Sequence, residues 1–196
     1  APVTESTVPS VSSDVPRVVV QPFKSRTNDE ELSSFAEDLT EDITSGLAQF
    51  SHLSVGASNS DSQSFQRFTV EGSLRKAGRT VRASIKLLET GSHVWAEQFD
   101  FDLDAGDVFE AQDVLTDRIV ATLADPSGVL TRSLVAWVKQ KDSALLSAHE
   151  CVLWTFGYLQ QWRRDEHLEL RAALERAIEE EPAHAGARAC LSMLYV

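Results

Sequence analysis

Long apolar runs, cysteines and positive charge are all scarce in this 196-residue chain. No stretch comes near the run of about eighteen apolar residues that a membrane-crossing helix needs, so no membrane insertion is expected. The opening residues, APVTESTVPSVSSDVPR, have no basic segment leading into an apolar one and so do not read as an intact signal peptide. They also lack a starting methionine, which suggests a processed or partial chain. Cys151 and Cys190 cannot make a disulfide framework between them, and buried free thiols suit a reducing compartment. The cytoplasm is therefore the expected location, with the periplasm as the alternative. Thirty acidic residues against eighteen basic ones give a net charge of −12, which argues against a nucleic-acid partner.

Catalytic signatures are missing as well. EGSLRKAGR holds Gly, Ser and Lys but not the spacing of a phosphate loop, and no helix comes after it to aim amides at an anion. There is no G-x-S-x-G, and neither cysteine has an evident histidine–acid relay. His52, His93, His149, His167 and His184 are scattered without metal-ligand spacing. Glu37, Asp38, Glu41 and Asp42 could face a divalent cation, but with no further ligands they read as a solvated helix face. No catalytic residue, metal ligand or cofactor is assigned, and this segment is not expected to be an enzyme.

The residues that are present are patterned. Residues 1–16, rich in Ser, Thr, Pro and Val without a period, read as a linker. RVVVQPF predicts a buried strand, with the polar loop KSRTNDE after it. Leu32, Phe35, Ala36, Leu39, Ile43, Leu47 and Phe50 recur at helical spacing. HLSVGAS predicts a second strand, and a polar loop is expected over 59–66. Phe68, Val70 and Leu74 alternate with polar residues, as do Val81, Ala83, Ile85 and Leu87, with Gly78 at the turn between them. A turn at ETGS then leads into a third strand, making an antiparallel meander. Its Trp95 and Phe99 are expected as core anchors, with His93, Val94 and Trp95 fastening the sheet to the helices. Arg75, Arg82 and Lys86 fall on the outward face and form a weak candidate anion-binding patch, for a small anion or a nucleotide. A second helix comes next, with Asp107 and Glu110 at capping-box spacing and Val108, Ala111, Leu115, Ile119 and Leu123 as its buried stripe. DPSG breaks it, a connecting helix is expected over 129–142, and from 143 the pattern is helical only.

In order and spacing, these segments resemble the TolB amino-terminal-like module. That family shows a strand ending in Pro-Phe, an acidic F-A-x-G-L-T-E-D-I helix, a V-x-G-S-x-R-x-x-G-x-x-V-R hairpin, then H-x-W-A-E-x-[FY]-D and an aromatic-x-x-Q helix. Matching here are Pro22-Phe23, Phe35-Ala36, LTEDI at 39–43, Gly72-Ser73, Arg75, Gly78, Val81-Arg82, His93, WAE at 95–97, Phe99-Asp100, Phe109 and Gln112. Asp38 departs from a common glycine, at little cost within a helix. The segment from 143 looks like the start of a tetratricopeptide array. Trp154 at position 4 of the 34-residue repeat puts Leu174 at 24, Ala177 at 27 and Pro182 at 32, and the next repeat puts Leu191 at 7 and Tyr195 at 11. Tyr158, Gly157 and Leu170 fit less well, and the chain stops mid-repeat, as a fragment of a longer protein would.

The expected architecture is thus α/β, a mixed sheet with an antiparallel meander and two packed helices over 17–128. The linking helix at 129–142 leads to an all-α, tetratricopeptide-like hairpin over 143–196. The resemblance implies a non-catalytic regulatory or protein-interaction region of a bacterial adenylate/guanylate cyclase or winged-helix regulator. Small-anion sensing and a cell-envelope role of the TolB or flagellar-lipoprotein kind are the alternatives. A protein or peptide partner is expected, with Trp154, Tyr158 and Trp162 as candidate contacts. A homodimer would cover the apolar surface left by sheet edges and an unfinished repeat.

Overall fold

The computed structural model describes residues 17–57, 66–102 and 108–195. The expected linker at 1–16, Asp107 of the capping box, and all of the 59–66 loop but Gln66 lie outside them.

Strand β1 (Arg17–Val20) pairs in parallel with β3 (Ser54–Ala57) on one side and β4 (Gln66–Ala77) on the other. β4, β5 (Thr80–Glu89) and β6 (Ser92–Asp102) form the antiparallel meander, giving a mixed sheet of order β3-β1-β4-β5-β6. The loop expected after Phe23 contains one further element, the two-residue β2 (Lys24–Ser25), which adds to β4 in parallel. Gly78 takes φ 63 in the β4–β5 turn, a conformation that costs glycine nothing.

Helix α1 (Glu30–Ala48) begins where Asp29 accepts the Leu32 amide at 3.2 Å. Its stripe from Leu32 to Leu47 is buried against Phe68, Val70 and Leu74 of β4 and Val81, Ala83, Ile85 and Leu87 of β5. Each Val, Leu, Ile or Phe among them contributes about 1.5–3 kcal/mol when taken out of water, before entropy is counted. Helix α2 (Val108–Ala124) lies beside α1 and buries Leu115, Ile119 and Leu123. Both helices cover one face of the sheet. The other carries Ser73, Arg75, Arg82, Ser84, Lys86 and Gln98, the wet face that an antiparallel sheet tolerates.

The meander departs from simple alternation at one place. β5 and β6 pair Glu89 with Ser92 and Leu88 with His93, but then Leu87 with Trp95, so Val94 is an extra residue. Such a bulge swaps the faces of the residues beyond it. His93 and Val94 are therefore exposed and do not fasten the sheet to the helices, whereas Trp95 packs at the margin of the core and Phe99 is fully inside.

Beyond the Asp125–Gly128 break come α3 (Val129–Val138), a 3-10 turn (Ser143–Leu145), α4 (Ala148–Gln161), α5 (Arg164–Glu180) and α6 (Ala185–Leu194). α3 buries Val129, Leu130, Leu134 and Val138 and packs on both α2 and α4, so the expected connecting helix is a packed layer. Most of the buried hydrophobic residues form one continuous cluster that runs from Val18 to Leu194.

Candidate functional site

The outward cations expected from alternation do share a face, but they do not share a state. Arg82 lies opposite Asp100 and donates to it twice, from Nε at 2.6 Å and from Nη2 at 2.7 Å. That fork holds the Asp100 carboxyl below its usual range and raises the Arg82 guanidinium. Arg82 is thus already neutralised. Arg75 stands directly across the ladder from it, and Lys86 lies further along the same strand.

Sequence reading missed two more members of this patch. Lys24 and Arg26 sit on and just after β2, and β2 carries them to the edge of the same face through its pairing with Ser73 and Leu74. A two-residue strand has too short an alternation to announce itself, so the loop composition concealed them. Together with Ser25, Ser73 and Ser84 these cations line an open trough on the helix-free side of the sheet.

The aromatic residues divide differently. Trp154 and Tyr158 are 6% and 5% exposed, so they belong to the core rather than to a contact surface. Trp154 donates from Nε1 to Glu166 at 3.3 Å, and the Tyr158 hydroxyl bonds His167 Nδ1 at 2.8 Å, which ties α4 to α5. Aromatics at helical spacing can face either way, and only packing decides. Trp162, 66% exposed at the left-handed C-cap of α4, remains on the surface. Leu168 of α5 and Met193 and Tyr195 at α6 also offer exposed apolar area.

Glu37, Asp38 and Glu41 face solvent, and Asp42 accepts from the Gln112 amide on α2. Among the described residues no group of three or more His, Cys, Asp or Glu is placed to hold a metal, and no helix is long and apolar enough to cross a membrane. Cys151 and Cys190 are buried free thiols, and burial pushes the Cys151 thiol up to about 12.

No family model matches the chain. It is 29% identical over 195 residues to a curated protein named "Putative adenylate cyclase 3" from Rhizobium meliloti (strain 1021). That match takes in 91% of this chain and 32% of the relative, so the chain spans about a third of the relative's length. Among solved structures, a PelC dodecamer from Paraburkholderia phytofirmans gives a TM-score of 0.42 at 15% identity, over 61% of this chain and 94% of that one. TolB from Acinetobacter baumannii gives 0.39 at 13% identity, over 55% and 28%. A match over 91% of the chain leaves out neither the sheet nor the helices after it, so both resemble part of a protein named as an adenylate cyclase.

Proposed function

We propose that this chain is a non-catalytic regulatory region of a bacterial nucleotide-cyclase-like signalling protein, acting in the cytoplasm by receiving a protein or peptide partner. The observation that carries the reading is the similarity along nearly the whole chain to about a third of a protein named as an adenylate cyclase. The continuous core supports it, because a partner bound at the helices acts on a body that includes the sheet. The exposed Trp162, Leu168, Met193 and Tyr195 are apolar area on which an amphipathic segment can settle. We read α4, α5 and α6 as tetratricopeptide-like, with Leu174 and Ala177 inside at their repeat positions.

Two measurements test this. The 196-residue chain alone, incubated with ATP or GTP, is expected to form no cyclic nucleotide. In the full-length protein that carries it, Ile85→Asp in the core is expected to change cyclic-nucleotide output. Turnover by the segment alone, or unchanged output from the full-length variant, overturns the reading.

A further inference from the structure

Two adjoining cavities of about 770 and 310 Å³ open on the helix-free face of the sheet and share Arg26, Ser73, Ser84 and Lys86. Positive charge collects there against the trend of a chain whose net charge is −12. Elsewhere cations are commonly neutralised by a neighbour, as Lys76 is by Asp29, Lys139 by Glu166 and Arg171 by Glu175. Lys24, Arg26, Arg75 and Lys86 make no ion pair with any described residue. Glu71, the one acid among the described residues lining the two cavities, stands across the ladder from Lys86 and offsets part of its charge, which leaves Lys24, Arg26 and Arg75 without an acid opposite.

The register adds to this. Arg75 and Arg82 stand directly opposite one another, and like charges facing across a ladder destabilise a sheet. Asp100 relieves Arg82 alone. An anion seated beside Arg75 would give it the counter-charge that Arg82 already has.

The lining also restricts what the anion can be. Ser73, Ser84 and Gln98 offer hydrogen-bond donors. No aromatic ring lines either cavity among the described residues, so a nucleobase finds no face to stack on. We propose that the trough binds a compact, multiply charged phosphate chain of pyrophosphate or tripolyphosphate type. Arg26, Arg75 and Lys86 grip the phosphates, and Lys24 stands beside them. Guanidinium groups take phosphate oxygens in pairs, while an ammonium acts as a point charge. This site is independent of the cyclase reading, and either can fail without the other.

Calorimetric titration of the 196-residue chain with inorganic pyrophosphate, and separately with tripolyphosphate, tests it. Saturable one-to-one binding is expected, weakening as salt is added. Arg26→Gln and Lys86→Gln should each weaken it roughly tenfold or more, since each removes a charge-assisted contact. Arg164→Gln, on α5, should leave it unchanged, and unfolding curves of all three variants should match the parent because these side chains lie outside the buried core. ATP should bind no tighter than tripolyphosphate. Absence of saturation, equal affinity in the Arg26 and Lys86 variants, or tighter binding of ATP or of a poly-glutamate peptide would overturn the proposal.

Discussion

The ring of Phe23 occupies the space that a side chain on residue 72 would need. A Cβ on Gly72 would lie 2.5 Å from Cγ, Cδ2 and Cε2 of that ring. The Phe23 amide meanwhile donates to Thr40 Oγ1 of α1 at 3.0 Å. Three separate motif segments, Pro22-Phe23, Leu39-Thr40 and Gly72-Ser73, therefore meet at one point.

Gly72→Val should destabilise the fold by about 1–3 kcal/mol, the usual range for overpacking. Phe23→Ala should itself be costly, about 3–5 kcal/mol, because it empties a buried site. Combined, the two should cost clearly less than their sum. Urea unfolding of the four proteins measures the coupling, and strict additivity would show that the two residues do not share the space.

Thr90 is a β-branched residue held at φ 46, with Gly91 next to it at φ 84 in the β5–β6 turn, and the Thr90 amide donates to Arg67 O at 2.9 Å. Asparagine accepts the left-handed region more readily than a branched side chain does. Thr90→Asn should stabilise by up to about 1 kcal/mol. A lowered melting temperature would count against this account of the turn.

His52 is buried after α1, with Nε2 3.2 Å from Thr131 Oγ1 on α3, and burial pulls its pKa down. Burial also lowers His149 at the start of α4, helped by the nearby His184 and His52. Both then bind protons more readily unfolded than folded. Their contribution is whole above the unfolded value of about 6.5 and declines as pH falls below it. The urea midpoint should drop between about pH 6.5 and 5, above the carboxylate range. His149→Gln should flatten that slope, and an unaltered slope would assign it to other groups.

Glu150 is 3% exposed, accepts the Ser147 amide at 2.9 Å, and forms an ion pair with Lys141. Ser147 Oγ accepts the Glu150 amide in return, closing a capping box at the start of α4. Ser147→Ala should cost about 1 kcal/mol. Glu150→Ala should cost more, on the order of 2 kcal/mol, because it also strips Lys141 of its partner. Chemical denaturation ranks the two, and the reverse order would be unexpected.

With its pKa near 12, the Cys151 thiol is almost wholly protonated at neutral pH. Cys190 is raised too, and also through burial. Neither should react with a disulfide reagent in the native protein, and both should react in urea. Rapid labelling of the folded chain would contradict the packing of α4 and α6.

Much of the α/β layout was legible because two periods carried it. The stripe from Leu32 to Leu47 and the alternation from Phe68 to Leu87 fix faces as well as elements. The β4–β5 register could even be counted outward from Gly78, which sets Arg75 opposite Arg82. Counting outward from Thr90 and Gly91 fails, because Val94 shifts the β5–β6 ladder by one. The Arg82–Asp100 pair was hidden for that reason. Contacts such as His52 with Thr131, or Phe23 with Gly72, join distant segments and leave no local signal. The burial of Trp154 and Tyr158 likewise depends on partners, Glu166 and His167, supplied by the next helix.

Helix α3 is ten residues long, about 15 Å from end to end, and it is packed against α2 on one side and α4 on the other. A Gly/Ser tether of that length would absorb motion of the last helices as slack. A helix packed on both neighbours has no such slack, so α4 cannot shift against α2 without breaking the contacts that α3 makes with one or the other.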